Sequence, residues 1–205
     1  MAMRVRGLTI LIGLAFAFFL ALAGTVGSPP ARRPPVQHAS IPVQERDRIN
    51  LTAEQRLDAA AKSAPLGEIK SLIKVAKPLH YGEFVWNDKN VPAGPAWIRA
   101  DLKTQTISIF RGGHEIGTAV ILYGANRKPT PPGSFAVLAK SKDHRSRQYD
   151  APMPYSLWLT SDGVAIHGSN VRWGAATHGC VGVPTEFARH LFEAAKVGDR
   201  VDIAA

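Results

Sequence analysis

Two imidazoles and one thiol fall within fourteen residues of each other: His167, His178 and Cys180, the last being the only cysteine in a chain of 205 residues. A free cysteine is most often a small buried hydrophobe. Here Gly168, Gly174, Gly179 and Gly182 lie among or beside the three residues, and such a glycine density is hard to explain by packing alone. Glycine allows sharp turns and lets a ligand come close to the backbone. A thiol becomes a nucleophile only as the thiolate, so it needs a base or a cationic neighbour. Histidine can serve as either near neutral pH. His167 ends an alternating segment and Cys180 follows a glycine-rich excursion, so the two can come within hydrogen-bond reach. His178 would share a face with Cys180 in an extended stretch, so the residues alone leave the base unassigned. Acyl transfer also needs donors for the developing oxyanion; the backbone N–H groups of Gly179 and Cys180 suit, with Thr177 or His178 adding a side-chain donor. The same three residues could ligate zinc, but no fourth ligand is apparent, so no metal or other cofactor is expected.

These residues need a scaffold, and the surrounding periodicity is that of strands. Trp97 to Leu102 and Thr106 to Phe110 alternate, Arg111 to His114 form a turn, and Glu115 to Tyr123 are apolar and β-rich; this reads as a hairpin. Lys128 to Gly133 is a rigid Pro-rich turn, followed by a strand over Ser134 to Ala139, a loop over Lys140 to Pro154, and strands over Tyr155 to Thr160 and Gly163 to His167. Thr185 is placed to cap a helix through Phe187, Leu191 and Phe192, Gly198 suits its exit, and Arg200 to Ile203 reads as a closing strand. Upstream, Asn50 to Val75 carries helical spacing capped by Thr52, with a second short helix over Ile69, Leu72, Ile73 and Val75. The fold class is therefore mainly β, a sandwich or barrel with one C-terminal helix, preceded by a short helical region.

The start of the chain speaks to compartment. Arg4 and Arg6 precede an apolar run from Leu8 to Ala23, and Ala21-Leu22-Ala23 resembles a signal-peptidase exit. The expected division is a signal peptide or retained anchor over 1–23, a Pro-rich spacer over 24–49, a helical accessory region over 50–95 and a catalytic domain over 96–205. An exported protein of the periplasm or cell envelope is expected, touching the membrane only if the first segment is retained. The net charge of +9 favours anionic partners such as an acidic wall polymer. No zinc-finger spacing, aromatic RNA-binding motif or basic heptad helix is present, so nucleic acid is not the expected partner.

His167 together with Thr177-His178-Gly179-Cys180 resembles the signature of the L,D-transpeptidase family, the YkuD-type catalytic domain. Trp97 to Phe110 resembles the family's opening strands, Lys128 to Phe135 its Thr-Pro-x-Gly-x-Phe turn, and Val197 to Ile203 its closing strand; the likeness runs from about Ala96 to Ala204. The resemblance implies that Cys180 attacks the carbonyl before the terminal D-Ala of a peptidoglycan tetrapeptide stem. A thioester forms, and a neighbouring stem amine resolves it into a 3→3 cross-link. It assigns His167 as base, oriented by a carbonyl near Gly168, and assigns the oxyanion pocket to His178 and Gly179 with Thr177 in support. Tyr123, Ser169, Asn170 and Arg172 are the candidate substrate contacts. L,D-carboxypeptidase action, lipoprotein attachment and a non-catalytic wall-binding module are the alternatives. The sortase and NlpC-type patterns fit less well, because sortases place His far from Cys and NlpC-type peptidases place Cys first. Gly182 stands where the family usually has Asn or Arg, and Arg172 or Arg189 is expected to take over its polar contact. Only nine residues separate His167 from Thr177, so the loop between them must be compact.

Overall fold

The computed structural model describes residues 48–62, 69–125 and 128–205, so the leader expected over 1–23 and all but the last two residues of the spacer expected over 24–49 lie outside the described residues; those two, Arg48 and Ile49, are in a strand rather than a spacer. The first elements are strand β1 (Arg48–Asn50), helix α1 (Ala53–Lys62), and strands β2 (Ser71–Ile73) and β3 (Phe84–Trp86). Thr52 caps α1 reciprocally with Gln55. The Thr52 hydroxyl accepts from the Gln55 N–H at 3.2 Å, and Gln55 Oε1 accepts from the Thr52 N–H at 2.9 Å, so two of the helix's free donors are satisfied.

The second helix expected near Ile69 to Val75 is instead strand β2, and β3 places more of the expected helical region in a sheet. Apolar spacing at Ile69, Leu72 and Ile73 fits a helix, but Ser71 and Ile73 are buried while Leu72 between them is not, which is the strand period. The open edge of a neighbouring strand decides the outcome. The Lys70 N–H donates to the Gly113 carbonyl at 2.7 Å, and Ser71 pairs with His114.

The hairpin expected downstream is present as β4 (Ala96–Asp101), β5 (Thr106–Arg111) and β6 (His114–Val120). The expected strand over Ser134 to Ala139 divides into β7 (Gly133–Ala136) and β8 (Ala139–Ser141), which pair in different sheets. Within the stretch read as a loop, β9 (Arg145–Ser146) and β10 (Ala151–Pro152) form a two-stranded ribbon. Then come β11 (Ser156–Trp158), β12 (Ala165–Ser169), β13 (Val181–Pro184), helix α2 (Thr185–Ala194) and β14 (Arg200–Ala204). Pro184, not Thr185, is the N-cap of α2, and no side chain caps it. Pro184 is still paired in β13, and its fixed φ leads directly into the first turn.

A large sheet runs in the order β1-β2-β6-β5-β4-β14-β7, with β3 also pairing on β6; a smaller one runs β13-β12-β11-β8. Between them lies one apolar core. Ile98, Ile107, Ile109 and Ile116 come from the large sheet, Leu157, Ile166, Val181 and Val183 from the small one, and Phe187 and Leu191 from α2. Burial of this kind contributes about 25 cal/mol per Å² of apolar area removed from water. At the open end of α2, the Lys140 ammonium of β8 donates to the Phe192 and Ala195 carbonyls, which suits a cation at a helix C-terminus. The sheets meet where Leu122, just past β6, exchanges backbone hydrogen bonds with Gly182 of β13 at 2.8 and 2.9 Å.

Glu115 is the polar fastener of the N-terminal strands. Its carboxylate accepts from the Ile73 N–H at 2.7 Å and from the Ser108 hydroxyl at 2.6 Å, while burial raises its pKa against the pull of those donors and of Arg48. Arg48 in turn reaches the Asn87 carbonyl at 2.6 Å and the Ser71 hydroxyl at 3.1 Å. Glu115→Ala leaves the Ile73 N–H without its acceptor, and is expected to lower stability by about 2–3 kcal/mol. Hydrogen exchange should report it first at Ile73; if Ile73 exchanges no faster than the β4–β5 amides, this role is refuted.

Candidate active site

β12 and β13 run parallel, with Ile166 opposite Val181 and His167 opposite Gly182. Ile166 and Val181 turn into the core. By the alternation of a strand, His167 and Cys180, one step before β13, turn to the other face. That face is one wall of a cavity of about 610 Å³ lined by both residues. The parallel pairing thus gathers a thiol and an imidazole that are thirteen positions apart.

The His167 ring is buried, at 8% exposure. Its Nδ1 lies 2.9 Å from the Gly168 carbonyl and 3.3 Å from the Ser169 hydroxyl. A carbonyl can only accept, so Nδ1 carries the proton and Nε2 is left with its lone pair. Burial lowers the pKa of His167 below the usual 6.5, opposed by the Gly168 carbonyl and reinforced by the charge of His144. The Gly168 N–H donates to the Pro154 carbonyl at 2.8 Å, which helps to hold the residue whose carbonyl anchors the ring.

Cys180 is partly exposed. Its thiol donates to the Gly163 carbonyl at 3.5 Å. Among the described residues no hydrogen bond joins it to His167, as is common for catalytic pairs without substrate. Burial pushes the thiol up from 9.0, offset by a backbone hydrogen bond from Ala165 and by the charge of Lys128. Both shifts favour thiol and imidazole over thiolate and imidazolium.

The residues before Cys180 form a turn held from several sides. Gly179 has φ +101°, a conformation that a side chain would strain. The Thr177 hydroxyl donates to the Cys180 carbonyl. Thr130 of the Pro-rich turn donates to that same carbonyl at 3.3 Å and accepts from the Gly124 N–H at 2.9 Å. The Thr177 N–H donates to the Tyr123 carbonyl at 3.0 Å. The His178 ring stacks on Tyr149, centroids 4.2 Å apart and planes 18° apart.

Eight of the residues singled out from sequence line the cavity: Cys180, His167, Gly168, Ser169, Asn170, Arg172, Thr177 and His178. Tyr123 does not line it; its contribution is the carbonyl that tethers Thr177. Arg189 is far from taking over a polar contact there, because its guanidinium bonds Glu186 and Glu193 along α2 at 3.0 Å each. Tyr149, Met153 and Pro154, on and after the β9–β10 ribbon, supply much of the opposite wall and lay within the stretch read as a loop. Thr130, a threonine between two prolines, carries no sequence signal of its contact with the Cys180 carbonyl, because that contact spans fifty positions. Among the described residues no cluster of three or more metal-ligating side chains exists.

Gly182 is explained by its neighbours. A Cβ there would sit 2.8 Å from Ser169 Oγ, 3.1 Å from Ser169 Cβ and 3.3 Å from Thr177 Cγ2. Ser169 thus fills the space a side chain at 182 would need, and its hydroxyl faces the His167 ring. Gly182→Asn is expected to destabilise by about 2–3 kcal/mol through this clash. Adding Ser169→Gly should recover most of the loss; additive losses in chemical denaturation of the double variant would exclude the clash.

A mainly β scaffold thus turns a thiol and an Nδ1-anchored imidazole into one cavity. The family model described as the L,D-transpeptidase catalytic domain matches residues 95–203, just over half of the chain, and the protein belongs to that family. L,D-transpeptidase 1 of Mycobacterium tuberculosis is 26% identical over 121 residues, covering 51% of this chain and 48% of the relative. The chain therefore spans about half the length of the curated relatives it matches. Among solved structures, an L,D-transpeptidase from Stackebrandtia nassauensis superposes with a TM-score of 0.50 at 22% identity, over 58% of this chain and 60% of that one; the likeness is one of fold. An L,D-transpeptidase from Mycobacterium tuberculosis H37Rv aligns at 24% identity and TM-score 0.49, over 54% and 57% of the two chains.

Proposed function

We propose that the protein is an L,D-transpeptidase of the cell envelope that forms 3→3 cross-links between peptidoglycan stem peptides through a thioester on Cys180. The observation that carries this reading is the shared wall of the cavity, where the thiol and the free Nε2 of a buried, anchored imidazole face the same space. In the first half-reaction His167 Nε2 takes the Cys180 proton and the sulfur attacks the carbonyl preceding the terminal D-Ala. The carbonyl oxygen becomes an oxyanion, met by the N–H groups of Gly179 and Cys180. Collapse breaks the peptide bond, and His167 returns the proton to the departing D-Ala amine. In the second half-reaction an acceptor amine attacks the thioester, gives its proton to His167, and the thiolate leaves and is reprotonated.

Arg4, Arg6 and the apolar run from Leu8 to Ala23 support export, which puts the catalytic domain where its polymer substrate lies. Incubation of the purified protein with a tetrapeptide stem tests the reading. The expected result is release of one D-Ala per acyl-enzyme and a mass increase on Cys180. An intact thiol with no adduct and no D-Ala would overturn it. Running the assay with and without an acceptor amine separates cross-linking from hydrolysis.

A further inference from the structure

Beside Tyr149 and His178, which line the cavity, stands a cation that the mechanism above does not use. Lys128 precedes Pro129-Thr130 in the turn that Thr130 fastens to the Cys180 carbonyl. Its side-chain stem runs along the Cys loop: a Cβ on Gly179 would lie 3.7 Å from Lys128 Cγ and 3.9 Å from Cε. The ammonium sits 5.8 Å from the centroid of the Tyr149 ring, and that ring is stacked on His178. Lys128, Tyr149 and His178 thus form a layered rim beside the residue that precedes the nucleophile. Among the described residues no carboxylate pairs with Lys128, whose charge is felt at the Cys180 thiol.

Resting on the proposed function, we propose that Lys128 is a specificity residue that receives a carboxylate of the peptide lying within one residue of the scissile bond. The chemistry is that of a point cation held in place by its stem. The Gly179 backbone and the aromatic face restrict where the ammonium can go, so less freedom is lost when it pairs. An ammonium on a carboxylate makes the stronger, charge-assisted kind of hydrogen bond. The turn, bolted through Thr130, keeps this cation in register with the thiol. Within that reach a stem offers the terminal carboxylate of the leaving D-Ala and, where the third residue carries one, a side-chain carboxylate.

The test compares three tetrapeptides: one with both carboxylates free, one amidated at its C-terminus and one amidated at the side chain of its third residue. D-Ala or D-Ala-amide release is followed for the wild type, Lys128→Met and Lys128→Arg. The wild type should turn over the free acid about tenfold faster, in kcat/KM, than one of the two amides. Lys128→Met should abolish that ratio, the free acid falling about tenfold further than the disfavoured amide. Any loss common to all substrates then reports the charge felt by the thiol, and only the additional loss on the acid reports carboxylate binding. Lys128→Arg should restore most of the ratio. Equal losses on all three substrates in Lys128→Met, or a wild type indifferent to amidation, overturn the inference and leave the proposed function standing. Absence of turnover of every substrate by the wild type removes both.

Discussion

Cys180→Ala is expected to lower the rate of D-Ala release by a factor of about 10⁴ or more, equivalent to roughly 5 kcal/mol of transition-state stabilisation. The residual rate would be what binding and the oxyanion donors supply without a nucleophile. The change is small in structural terms. The thiol is partly exposed and its hydrogen bond to the Gly163 carbonyl is long, at 3.5 Å. Alanine at this position should therefore leave the melting temperature nearly unchanged, which separates loss of chemistry from loss of fold. Carbapenem treatment gives a second readout: a covalent mass increase on the wild type and none on Cys180→Ala. An adduct that survives the substitution would place the nucleophile on another side chain and end the proposal.

His167→Gln is expected to cost about 10²–10⁴ in kcat/KM. Glutamine can still donate to the Gly168 carbonyl but offers no nitrogen that accepts a proton. The pH profile carries the diagnostic detail. Burial lowers the pKa of His167 below 6.5 and raises that of Cys180 above 9.0. The imidazole is thus unprotonated, and able to act as base, at pH values where an ordinary histidine is already charged. The acid limb of kcat/KM should lie below pH 6.5 in the wild type and vanish in His167→Gln. Stability follows the same sign. The unfolded chain takes up the His167 proton first, so the folded state is stable above pH 6.5 and loses stability as pH falls through that value. Wild type and His167→Gln should therefore converge in stability toward acid pH. An acid limb unchanged by the substitution would assign the base elsewhere, with His178 the first residue to test.

The strand scaffold was legible because its signals are local. Alternation in Trp97 to Leu102 and Thr106 to Phe110, with Gly112-Gly113 between the second run and the next, specifies the hairpin with almost no reference to the rest of the chain. The Thr52 cap was legible for the same reason, since both partners lie within four residues. Ile69 to Val75 was misread because its period is ambiguous over so short a run. What settles it is the free edge of β6, far away in sequence, which offers Gly113 and His114 to Lys70 and Ser71. The β9–β10 ribbon has two-residue strands, too short for any period to show. Its contribution to the cavity wall depends on Tyr149 stacking with His178, a contact across twenty-nine positions.

The residue types determined that the candidate reacting pair is Cys180 with a histidine, His167 or His178, because a thiol and an imidazole can supply a nucleophile and a base near neutral pH. Tertiary structure alone decided how they are poised. Parallel pairing of β12 with β13 turned His167 and Cys180 to one face, and burial favoured the neutral form of each. The Gly168 carbonyl chose the tautomer, and Ser169 occupied the space that requires glycine at 182. Each of these depends on distances between segments remote in sequence, and such distances exist only once the two sheets have closed on a common core.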